Sequence, residues 1–198
     1  MAYLSQQTRG IVSEESLFDR EKIITAFEKL DSELARRRLR VDMFVTGGAA
    51  IILAYQRDRR TRDIDAVFTS RSEVYEAARA VARRMGLPQG WLNDAVESYL
   101  LDDDPEMVPV FEGQQVHVAV ASPQYLLAMK LLAARAEQDS GDVALLMQRC
   151  GYTTTAEAVA FLERYLPGKP IPEKTLDLLE AMYGPLEGLG DYGQPGRS

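Results

Sequence analysis

Residues 45–68 read VTGGAAIILAYQRDRRTRDIDAVF, and the fold turns on how this stretch is parsed. Residues 41–45, VDMFV, read as a short strand that runs into Thr46-Gly47-Gly48. The glycines break it, residues 49–55 read as a helix, and residues 56–62 form a polar, basic loop. Residues 63–68 then alternate, with Ile64, Ala66 and Phe68 on one face and Asp63, Asp65 and Val67 on the other, the signature of a second strand.

Each part of that stretch has a chemical use. Gly47 and Gly48 permit backbone torsions closed to other residues and let a phosphate approach the main chain. The helix that follows aims its unpaired N–H groups at the same spot, which suits an anion. Asp63 and Asp65, two apart on a strand, leave the same face with Cα atoms roughly 6.6 Å apart, close enough to share one hard cation. Magnesium favours such carboxylates together with phosphate oxygens and water. Two such ions would activate an attacking hydroxyl and stabilise departing pyrophosphate. A lone D-x-D or a lone Gly-Gly turn means little; what informs is their order, with phosphate donors brought beside metal ligands. The stretch is neither a P-loop, since no Gly-Lys-Ser/Thr follows, nor a G-x-G-x-x-G dinucleotide fingerprint.

Upstream, residues 1–18 read as a flexible arm, and residues 19–38 as a helix with Ile23, Phe27, Leu30 and Leu34 on its buried stripe. Downstream, Ser72 is the expected N-cap of a helix through residue 85, with Val74, Ala78, Val81 and Met85 inward, ended by Gly86-Leu87-Pro88. A short helix is expected over 92–99, an acidic loop over 102–105, and a hairpin pairing 107–111 with 115–121. Ser122-Pro123 signals a helix reaching about residue 137. Helices over 142–150, 155–165 and 173–183 follow, and the Gly- and Pro-rich residues 184–198 read as a flexible tail. The fold class is therefore α+β: a small mixed β-sheet core with flanking helices over 19–121, then a helical C-terminal half over 122–183 packed on it.

At 46% hydrophobic and 27% charged, the 198 residues have ordinary globular composition. One cysteine excludes an internal disulfide framework, and the opening MAYLSQQTRG lacks an apolar leader core, so the reading is a cytoplasmic protein with no membrane role. The net charge of −7 is uneven: residues 1–100 carry 16 Lys+Arg against 15 Asp+Glu, and residues 101–198 carry 7 against 15. The cations cluster at Arg36, Arg37, Arg38 and Arg40, at Arg57, Arg59, Arg60 and Arg62, and at Arg79, Arg83 and Arg84. A local positive face matters more for phosphate contact than the overall balance.

These residues resemble the DNA polymerase beta-type nucleotidyltransferase superfamily, whose mark is a strand, Gly-Gly or Gly-Ser, a helix, then Asp-hydrophobic-Asp-hydrophobic. Here the mark reads Gly47-Gly48 and Asp63-Ile64-Asp65-Ala66. More narrowly, the run from Arg60 to Asp65, and Ser122-Pro123 followed by Leu126 to Leu131 with Asp139 and Asp142 downstream, look like the nucleotidyltransferase toxins of bacterial toxin–antitoxin and abortive-infection type E systems. The resemblance covers roughly residues 20 to 150. It implies that Asp63 and Asp65 bind Mg2+, with Mn2+ as a substitute, and that Lys130 contacts the phosphates of a nucleoside triphosphate while Asp142 completes the site. Thr46, Gly47 and Gly48 would hold phosphate, and Arg60 and Arg62 would contact triphosphate or an RNA backbone. It further implies transfer of a nucleoside monophosphate, a pyrimidine such as CMP, to the 3′ end of tRNA. Translation would stop, and a cognate antitoxin protein would neutralise the activity.

Several readings stay open at this stage. Lys130 is a lone cation in the apolar stretch 126–134 and could instead snorkel from a buried face; Asp142 could be a helix cap, and Asp139 competes for its role. Many superfamily members carry a third carboxylate on a later strand, but QVHVAVA at 115–121 offers only His117, either a general base or a structural residue. Trp91 reads as an anchor for the segment that follows, with an RNA-stacking platform as the alternative. The acceptor could equally be a protein or small-molecule hydroxyl, and the chain could be a catalytically dead regulatory subunit of the same fold.

Overall fold

The computed structural model describes residues 17–56, 58–101 and 103–186. The expectations for the arm before residue 17, for Arg57, for Asp102 and for the tail after residue 186 lie outside the described residues. The chain divides into two compact units, one formed by residues up to 98 together with 106–121, the other by residues 99–105 together with 122 onward.

The first unit is built on a five-stranded mixed sheet. Its elements are α1 (Arg20–Arg37), β1 (Val41–Val45), α2 (Gly47–Ala50), β2 (Ile64–Phe68), α3 (Arg71–Met85), β3 (Leu92–Asn93), β4 (Val108–Glu112) and β5 (Val116–Val120). The strand order is β3-β2-β1-β5-β4. β1 lies antiparallel to β2 and parallel to β5, β2 is parallel to β3, and β4 and β5 form the antiparallel hairpin. Period-two alternation buries Val41, Met43, Val45, Ile64, Ala66, Phe68, Val116, Val118 and Val120. α1 packs against β5 and α3. α1 buries Ile23, Phe27, Leu30 and Leu34, and α3 buries Val74, Ala77, Ala78, Val81 and Ala82. Asp19 caps α1 by accepting the Lys22 N–H, and α1 ends at Arg38 in the left-handed region (φ +54°).

Four expectations are corrected in this unit. The helix after β1 begins at Gly47, not at residue 49, and its second half, Ile51–Tyr55, is wound more loosely: the Gln56 N–H donates to the Ile51 carbonyl, five residues back, at 2.7 Å. α3 starts after Ser70, whose φ is +53°, so Ser72 sits inside the helix, and Met85 is only half-buried. Residues 92–93 form strand β3 rather than a helix; the helical turn there is a 3-10 turn over Ala95–Tyr99. Phe18 is not loose: it is fully buried, stacks on Trp91, and exchanges backbone hydrogen bonds with Thr61 at 2.7 and 2.9 Å. That bridge pins the basic loop that leads into β2.

The second unit is helical, with α4 (Pro123–Ala133), α5 (Ala136–Cys150), α6 (Thr155–Tyr165) and α7 (Glu173–Tyr183). The Ser122 side chain caps α4 by accepting the Tyr125 N–H, with Pro123 at the first helical position, and Thr154 and Glu157 form a capping box on α6. α4 stops sooner than expected, at Ala134 (φ +42°), and α5 begins six residues earlier than expected. α7 satisfies the exposed end of α4: Thr175 Oγ1 donates to the Leu131 carbonyl at 2.6 Å and Lys174 Nζ to the Ala133 carbonyl at 2.7 Å. Among the described residues no helix is long and apolar enough to cross a membrane.

Candidate active site

The C-terminal end of β1 delivers the chain to Thr46, and the antiparallel β2 brings Asp65 beside it, where the Thr46 N–H donates to the Asp65 carbonyl at 2.9 Å. Gly47 follows with φ +63°, a torsion that costs any residue bearing a Cβ. A Cβ built there would lie 3.0 Å from Asp65 Oδ2, so the glycine turn and the carboxylate are in direct apposition. A Cβ at Gly48 would likewise meet Thr61 Oγ1 at 3.0 Å, which sets the basic loop against the start of α2. Within the first unit the structure thus brings together Thr46, Gly47, Gly48, Thr61 and Asp65, with Asp63 at the mouth of β2 and exposed Arg60 and Arg62 flanking Thr61.

Two features show polar groups left unsatisfied. Thr46 is 1% exposed, yet among the described residues its hydroxyl has no hydrogen-bond partner, and it does not cap α2 although it occupies the N-cap position. Such an orphan costs about 1–3 kcal/mol unless something fills its hydrogen bond. The Asp63 carboxyl is pushed above the ordinary carboxylate range, first by burial and then by the neighbouring charge of Asp65; Arg62 and a long 3.4 Å hydrogen bond from Asn93 Nδ2 oppose the shift without cancelling it. Two half-buried acids that repel each other, beside a glycine turn and an unpartnered hydroxyl, suit a hard divalent cation and the phosphate oxygens that accompany it. Two carboxylates are few: among the described residues no group of three or more His, Cys, Asp and Glu side chains is placed to hold a metal.

Asn93 is the residue that sequence reasoning missed. It lies opposite Asp65 in the β2–β3 register and touches Asp63, and it went unseen because a two-residue strand has no periodicity to read. Trp91 is fully buried and donates from Nε1 to the Ala78 carbonyl at 3.0 Å, while its own carbonyl accepts the Ile64 N–H at 2.7 Å. It anchors β3 beside the acidic strand, and an RNA-stacking role is excluded by burial.

His117 is placed away from this end of the sheet. It pairs in register with Asp42, whereas Val120 pairs with Val45, so about 10 Å of strand separates it from the glycine turn. Its Nδ1 faces Arg40 at 3.1 Å, Glu112 at 3.5 Å and Asp42 at 3.7 Å, a surface cluster. β5 therefore supplies no acid beside Asp65, since the strand there carries Ala119 and Ala121.

Lys130, Asp139 and Asp142 belong to the second unit and meet each other there. Lys130 Nζ lies 2.6 Å from Asp139 Oδ1 and 2.8 Å from Asp142 Oδ2. Asp142 is within α5 and caps nothing; Asp139 and Asp142, three apart on one helix, present adjacent carboxylates to a lysine in the last turn of α4. Burial alone would depress the Lys130 ammonium, but the hydrogen bonds and charges of both aspartates outweigh it and raise its pKa. Asp139 and Asp142 thus engage the same cation.

Compared with known proteins, residues 21–150 match the model of a family described as "Nucleotidyltransferase of unknown function (DUF6036)". Searches of curated proteins and of solved structures gave no match.

Proposed function

The chain belongs to this nucleotidyltransferase family, and from that premise we propose that it transfers a nucleoside monophosphate from a nucleoside triphosphate to a hydroxyl at the 3′ end of tRNA. In that reaction the acceptor oxygen bonds to the α-phosphorus, the bond to the β-phosphate bridge breaks, pyrophosphate leaves and the acceptor proton passes to water. Asp63 and Asp65 would hold Mg2+, or Mn2+ in its place. The ion, when bound, would neutralise phosphate charge and polarise the attacked phosphoryl group. Thr46 Oγ1 and the amides of Gly47 and Gly48 would hold phosphate oxygens, and Arg60 and Arg62 would meet the triphosphate tail. The resemblance gives Lys130 a phosphate contact, and in the second unit its ammonium is held by Asp139 and Asp142. The toxin resemblance supplies the rest of the reading: a pyrimidine nucleotide such as CMP, arrest of translation, and neutralisation by a cognate antitoxin protein.

The single observation that carries the proposal is the apposition of Asp65 Oδ2 to the Gly47 turn, where a Cβ would lie only 3.0 Å from it, with the Thr46 hydroxyl unsatisfied nearby among the described residues. The test is incubation of the full chain with labelled nucleoside triphosphates, Mg2+ and total RNA. Label on RNA of tRNA size, lost in Asp65→Ala, is the expected result. Label on protein or on a small hydroxylated molecule would move the acceptor, and no transfer to any acceptor would point to a regulatory subunit.

A further inference from the structure

Glu33 is a charged residue that the proposed reaction leaves unused. It lies on α1 with its side chain 5% exposed, and three arginines converge on it. Arg36 Nη1 is 2.8 Å and Arg37 Nη1 3.2 Å from its carboxylate, and Arg84 reaches it from α3. Arg38 and Arg40 continue the row into β1, and Arg83 precedes Arg84 in the last turn of α3; all six arginines are exposed. One buried carboxylate thus holds three of these six arginines at the ends of two helices, and the other three adjoin them in sequence, in a chain whose net charge is −7. Helix dipoles favour one or two cations at such ends, not six, and among the described residues no carboxylate pairs with Arg38 or Arg83.

The array sits at the start of β1 and the glycine turn at its end. Thr46 lies six positions beyond Arg40, about 20 Å of extended chain. We propose that this array is a phosphate-backbone docking surface that grips the body of a structured RNA acceptor at a distance from the reactive end. The inference deepens the reading of an RNA acceptor and rests on it. Guanidinium forks held by a shared buried carboxylate suit a run of phosphates, each contacted without regard to sequence. Arg36, Arg38 and Arg83 take no part in nucleotide or metal binding.

The test is binding of fluorescently labelled total tRNA to the full chain without triphosphate and with chelator, measured by anisotropy across a salt series. The variant Arg36→Gln/Arg38→Asn leaves Glu33 paired with Arg37 and Arg84 and puts an Asn, which tolerates the left-handed region, at position 38. It should bind roughly tenfold more weakly at moderate salt, with a log–log salt slope shallower by about two. Arg38→Asn/Arg83→Gln should behave likewise and covers failure of the first variant to fold. Affinity for the nucleoside triphosphate should be unchanged in both. Unchanged RNA affinity and slope in folded variants would overturn the proposal. So would equally tight binding of polyglutamate of matched charge, which would assign the surface to an acidic protein. Nucleotidyl transfer to RNA is scored separately by label incorporation, so loss of docking and failure of the RNA-acceptor reading give different results.

Discussion

The molecule contains two pairs of neighbouring aspartates treated in opposite ways. Asp139 and Asp142, on α5, are 8% and 6% exposed at the side chain and share one ammonium, that of Lys130. Asp63, just before β2, and Asp65, on it, have no such counter-ion among the described residues; Arg62 and Asn93 compensate Asp63 only in part, and its proton is held more tightly than in an ordinary carboxyl. The first pair is complete within its own unit, so removing the lysine would expose the cost of two buried charges. The second pair is left in tension beside a glycine turn, and an external cation would relieve it.

Mutations can break or sharpen that contrast. The largest effect on stability is expected at the completed pair: Lys130→Met should cost about 3–5 kcal/mol, because it strands two buried carboxylates. Chemical denaturation would check it, and a loss under 1 kcal/mol would show that the triad is not a structural unit. At the tense pair, Gly47→Ala should cost about 1–2 kcal/mol for the left-handed torsion. It should also displace the Asp65 carboxylate, so nucleotidyl transfer should fall far more than folding stability does; the two are read from labelling and denaturation of one preparation. Thr46→Val should leave stability unchanged or raise it by about 1 kcal/mol, because it removes an orphaned hydroxyl without removing a cap, while weakening triphosphate binding about fivefold to tenfold.

The smallest effect is on pH dependence, and the pH window in which it falls separates the pairs. The folded-state pKa of Asp63 is raised, so the folded chain holds more protons than the unfolded chain between the ordinary and the raised value. Its contribution to stability is therefore present at low pH and lost as pH rises through that window. Asp63→Asn should remove this decline. Lys130 has the same sign in a different window: its raised pKa keeps its contribution intact through neutral pH, and that contribution is lost as pH rises from the ordinary lysine value through the raised one. Thermal melts of wild type and the two variants across pH would resolve the assignments.

Much of this was legible in the sequence because it rests on local rules. Strand β1, the alternation of β2, the α1 stripe and the Ser122-Pro123 helix start are short-range patterns, and all appear in the structure. What escaped depends on contacts distant in sequence. β3 exists because Trp91 is anchored on α3 and offers its carbonyl to Ile64, and Asn93 follows from it. The break after α4 falls at Ala134-Arg135, two good helix formers, and the end it leaves is satisfied by Lys174 and Thr175, some forty residues away. The resemblance singled out Lys130 and Asp142, but only the packing of α4 on α5 showed them bonded to each other together with Asp139.

Asp63 and Asp65 together would hold a divalent cation against the Gly47 turn. Titrating Mn2+ into the full chain with a non-hydrolysable nucleoside triphosphate, followed by the paramagnetic signal of free ion, tests it most directly. Saturable binding is expected in wild type and is lost in Asp65→Asn, although that variant remains folded. Equal Mn2+ binding by wild type and the folded Asp65→Asn variant would contradict it.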